Sequence, residues 1–76
     1  MYTISLSTKH FSTFEKALDK AIKKQHVLST TMIVYKNGRI IAQLNLDHSV
    51  DIIIDGTFIT HFNSNDFKNA KDFAFY

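Results

Sequence analysis

Seventy-six residues, a formal charge of +2 and no cysteine leave room for one domain, and they exclude a disulfide framework or a thiolate metal site. A hydrophobic share of 45% and an aromatic share of 13% exclude compositional disorder and supply a core. A chain this short buries only about 60% of the surface its unfolded state exposes, so its stability is modest.

Tyr2, Ile4 and Leu6 alternate with Thr3, Ser5 and Ser7. That period of two predicts a first strand with one buried face. The opening residues carry no positive region ahead of an apolar stretch, so no secretory signal is read there. The longest apolar runs, such as Ile52-Ile53-Ile54, fall far short of the ~20 residues a membrane helix needs. The expectation is a cytoplasmic protein.

Ser12-Thr13-Phe14-Glu15 has the spacing of a capping box, with Ser12 as the cap. It predicts a helix over 13–26. At 100° per residue, Phe14, Ala17, Leu18, Ala21 and Ile22 form one apolar stripe. Lys16, Lys20, Lys23 and Lys24 gather on the opposite side.

Thr31 to Leu46 predicts a hairpin. Two runs rich in β-branched residues flank Asn37-Gly38, a pair suited to a two-residue type I′ turn because both central positions need positive φ. An unbroken register places Thr31, Ile33, Tyr35, Ile40, Ala42 and Leu44 on the helix-covered face. Met32, Val34, Ile41, Gln43 and Asn45 then occupy the other face, which is apolar for a solvated surface. A turn at Asp47-His48-Ser49 leads to a strand at 50–54, a second turn at Asp55-Gly56 and a strand at 57–62. In that hairpin Ile53 is expected to face Phe58, and Ile52 to face Ile59. Asn63-Ser64-Asn65-Asp66 breaks the pattern, and Phe67, Ala70, Phe73 and Ala74 then recur at helical spacing. The predicted class is α+β in the order β-α-β-β-β-β-(α). An antiparallel meander carries one long helix on one face, and a short C-terminal helix ends the chain.

Chemistry is less legible. The four histidines show neither HxH nor HExxH spacing, and Asp47, His48, Asp51 and Asp55 are taken mainly as turn and strand residues rather than metal ligands. Two glycines cannot build a phosphate loop, and no G-x-S-x-G is present. The expectation is a non-enzyme without metal or cofactor. Lys16, Lys20, Lys23, Lys24, Lys36, Arg39, Lys68 and Lys71 are the candidates for contact with nucleic acid or an acidic partner. Met32, Val34, Ile41, Phe58 and Phe62 are the candidates for a protein interface.

Lys68-Asn69-Ala70-Lys71, with Ala74 beyond, resembles the lysine–alanine pattern that opens the second helix of double-stranded RNA-binding domains. The order helix, three-stranded meander, helix resembles that family too. The resemblance implies that Lys68 and Lys71 lie near backbone phosphates and that the region of Glu15 approaches a minor groove. The chain departs from the family where Asn63-Ser64-Asn65-Asp66 replaces a glycine-rich lead, and in its extra strand before the helix. The order β-α-β-β-β-β also looks like the cystatin-type fold, whose members often block an enzyme's cleft. The inhibitory Gln-x-Val-x-Gly loop is replaced here by the tight Asn37-Gly38 turn, and architecture alone does not carry function.

Lys, Asn, Ile, Phe and Tyr are abundant, a bias that often follows AT-rich coding in bacteria and their phages. With the short length, it leads to the expectation of a phage- or mobile-element-type accessory regulator. Such a protein would inhibit or modulate a host protein or ribonucleoprotein through the second sheet face and the lysine stripe. The competing readings are direct RNA or DNA binding and a homodimer built on the outer sheet face.

Overall fold

The computed structural model describes residues 1–63. Its elements are β1 (Tyr2–Ile4), α1 (Phe14–Leu28), β2 (Met32–Lys36), β3 (Arg39–Leu44), β4 (Ser49–Ile54) and β5 (Thr57–Asn63). The five strands form one antiparallel sheet in the order β1-β2-β3-β4-β5, with α1 packed on one face. The class is α+β with a meander sheet. The expected C-terminal helix lies outside the described residues. No helix among the described residues is long and apolar enough to cross a membrane.

β1 is shorter than its alternation predicts. Ser5 turns its hydroxyl inward to accept from the Ile33 amide at 3.0 Å, and Leu6 then takes φ 59° and is left exposed. The Lys24 ammonium donates to the Leu6 carbonyl at 2.7 Å and ties this bend to the helix.

The α1 cap is Thr13, not Ser12. The Thr13 backbone is extended and its hydroxyl accepts from the Lys16 amide at 3.2 Å, which satisfies a free first-turn donor. Ser29 closes the helix in the left-handed region, and its amide donates to the Gln25 carbonyl at 2.8 Å. The predicted stripe holds: Phe14, Ala17, Leu18 and Ala21 are buried, and Ile22 packs against the core. Gln25 continues the stripe one turn on. It is 6% exposed, and its side-chain amide donates to the carbonyls of Leu44 and Asn45 at 3.1 and 2.9 Å.

Both tight turns form as expected. Asn37 and Gly38 have φ of 51° and 83°, Asp55 and Gly56 of 51° and 79°. The pairs next to each turn also hold, with Lys36 opposite Arg39 and Ile53 opposite Phe58. Beyond them each hairpin carries a bulge. Val34 pairs with Ala42, so Ile41 is the extra residue in β3. Ile52 pairs with Thr60, not Ile59, so Ile59 is the extra residue in β5.

One extra residue exchanges the two faces of a strand. The covered face therefore holds two cross-strand rows. One runs Ile4, Val34, Ala42, Ile52, and the other Met32, Leu44, Val50, Phe62. Met32, Val34, Ala42, Leu44 and Val50 are fully buried. This corrects the expected face assignment. Met32 and Val34 are core residues beneath α1, closed to any partner, while Ile33, Tyr35 and Ile40 face outward. Ile41, sitting in the bulge, is 8% exposed and belongs to the core cluster.

Candidate binding surface

The meander brings the β2–β3 and β4–β5 turns to the same end of the sheet. β3 and β4 pair only over Ala42–Leu44 and Val50–Ile52. Past these pairs the two hairpin tips are joined by Arg39 and Asp55, Nη1 to Oδ1 3.5 Å. Both groups are well exposed, so the pair contributes little stability. It marks a lip between two hollows. One, of about 420 Å³, is lined by Lys36, Asn37, Arg39, Ile40, Ile41, Ile54 and Asp55. The other, of about 500 Å³, is lined by Arg39, Ile40, Ile53, Asp55 and Gly56.

The outer sheet face divides along its length. Toward the turns it is apolar: Tyr35 pairs with Ile40, and Ile53 with Phe58. Ile40 is 43% exposed and Phe58 56%. Away from the turns it is polar. Gln43, Asn45, Ser49 and Asp51 form a chain in which Gln43 donates to Asn45, and the Asn45 amide donates to Ser49 and Asp51 at 2.9 and 3.0 Å. His61 lies across from Asp51 and stacks on Phe58 with ring centres 6.2 Å apart.

The residues expected to form sites are scattered. Lys36 and Arg39 stand at the turn end, with the Lys36 ammonium 5.7 Å from the Tyr2 ring centre. Phe58 lies in the exposed patch, whereas Phe62 packs against the core from the covered face. Met32, Val34 and Ile41 are buried, as above. Lys68 and Lys71 lie outside the described residues. The helix lysines occupy the solvent side of α1, which packs on the covered face; they and the outer sheet face are on opposite sides of the molecule. The expected joint contact through both therefore does not fit a single flat partner. Three of the four lysines also have local partners. Lys23 pairs with Asp19 at 3.1 Å, Lys24 binds the Leu6 carbonyl, and Lys16 reaches the Ser12 hydroxyl at 3.4 Å.

Ile40 and Ile53 are outward-facing apolar residues that sequence reasoning did not put among its interface candidates. The available signal was the apolar run Ile40-Ile41-Ala42 directly after a turn, which breaks alternation and is where a bulge relieves it. The four groups weighed as metal ligands are spread along β4, with Asp51 inside the strand. Asp47 and His48 are at one end, Asp55 at the other beside Arg39. The Asp47 carboxyl accepts from the Ser49 hydroxyl at 2.6 Å and the Ser49 amide at 3.0 Å, and these bonds hold its pKa below the ordinary 3.8.

Compared with protein-family profiles, curated proteins and solved structures, the chain has no significant match.

Proposed function

We propose that this chain is a small non-enzymatic binding module, of the phage or mobile-element accessory type, that modulates a host protein or ribonucleoprotein by occupying its surface. The observation that carries this reading is the apolar turn end of the outer sheet face, where Ile40 and Ile53 lie beside Arg39 and exposed Phe58 pairs with Ile53. Aromatic and aliphatic anchors beside an arginine are the composition of an interface centre. Apolar surface left in water forgoes about 25 cal/mol per Å² that a partner restores. The contact then lies at the turn end rather than over the whole outer face, and the lysine stripe is a separate surface.

Direct RNA or DNA binding is the second reading, supported by Lys16, Lys20 and Lys23 on one solvent side of α1. The local engagement of Lys16 and Lys23 weighs against it. The test is capture of partners by tagged protein from a host lysate, with and without nuclease. The proposal expects a partner that survives nuclease and withstands moderate salt. A partner lost with nuclease, with log affinity falling by roughly 0.7–0.9 per phosphate contact against log salt, supports the second reading. Self-association alone supports a homodimer.

A further inference from the structure

Away from the turn end, His26 in the last turn of α1 and His48 in the β3–β4 turn bring their ring centres to 5.8 Å, with planes tilted by 31°. With Gln25, Ser29 and Leu46 they line one hollow of about 230 Å³. We infer that His26 and His48 form a two-histidine site for a divalent first-row transition ion, with Zn²⁺ and Cu²⁺ the ions imidazole suits best.

The geometry fits such an ion. An imidazole nitrogen binds zinc at about 2.0–2.1 Å and lies roughly 1.1 Å from its ring centre, so two rings on one tetrahedral ion have centres about 5.2 Å apart. The observed separation exceeds this by about half an ångström, within the reach of small rotations of two exposed side chains. The electrostatics agree. The carbonyl end of α1 carries partial negative charge at His26, and the Asp47 carboxylate precedes His48 in the same turn. Among the described residues no group of three or more His, Cys, Asp or Glu converges, so water completes the coordination. The site is exchangeable, unlike a structural zinc site with four protein ligands.

The test is titration with zinc chloride alone, read at all four histidine rings by NMR. His10 and His61 are internal controls, His61 being stacked on Phe58. The rings of His26 and His48 should shift together and saturate at one Zn²⁺ per chain, while His10 and His61 stay unchanged. His26→Ala should weaken the response at His48 about tenfold or more, because the second ligand no longer acts intramolecularly. His48→Ala should do the same at His26. Both rings are exposed, so both variants should keep the native amide spectrum, which is recorded alongside. Equal response at all four rings overturns the site. So does a His48 response that survives His26→Ala, or no saturation below about 1 mM.

Discussion

Among the described residues, Gln25 is the polar side chain that the core admits, and its two donated bonds fasten the end of α1 to the end of β3. Gln25→Ala withdraws both bonds and should lower stability by about 1–3 kcal/mol, read from the denaturant midpoint. Gln25→Glu should be worse at neutral pH, because an ionised carboxylate faces two carbonyl oxygens without a proton to donate. That defect should ease as the pH falls and the acid regains its proton. Asp47 behaves in the opposite sense. Its pKa is lowered by the Ser49 hydroxyl first and the Ser49 amide second. Its contribution is therefore present above the ordinary 3.8 and is lost as the pH falls through the depressed value. Ser49→Ala should raise the Asp47 titration midpoint toward 3.8 in an NMR pH series, the Ser49 amide still holding it below; an unchanged midpoint would remove the Ser49 hydroxyl as a cause.

At the scale of elements, the turns and the helix were legible because each rests on a local rule. Asn-Gly and Asp-Gly demand positive φ, and a period of 3.6 marks the apolar stripe. Gly38→Ala makes the turn rule measurable. A Cβ there meets nothing within 4 Å, so the cost is conformational, about 1–2 kcal/mol. Ala42 and Leu44 of β3 were placed on the buried face correctly, but the face of β2 and of Ile40 and Ile41 was not legible, because a single bulged residue reverses a pattern of period two. Nor was Gln25, since a polar residue at a stripe position reads as the end of the stripe until its carbonyl partners are seen. The bulge makes one deletion informative. Removing Ile41 leaves every other pair of the β2–β3 hairpin in place, so Val34 should still contact Ala42 in the NOE spectrum, at the cost of one buried aliphatic side chain. Loss of that contact from a folded deletion variant would contradict the register.

For the molecule as a whole, the two layers separate two kinds of surface. The lysines of α1 lie on one side and the apolar turn end of the sheet on the other. Less of this was legible in the sequence than of the fold. Lysine spacing located the stripe, but the interface candidates Met32 and Val34 were core and Ile40 was not among them, because facing depended on the bulge. Helix charge reversal, Lys16→Glu with Lys20→Glu and Lys23→Glu, should therefore leave partner binding within about twofold, while affecting any nucleic-acid binding. The most direct measurement is partner capture by the Ile40→Asp/Phe58→Asp variant, with its thermal unfolding recorded beside Val34→Asp. Exposed positions take a charge at small cost, whereas a charge at buried Val34 lacks a partner and unfolds the domain. The double variant should stay folded and lose the partner. A folded double variant that captures the partner as well as the parent protein does would contradict the turn end as the binding surface.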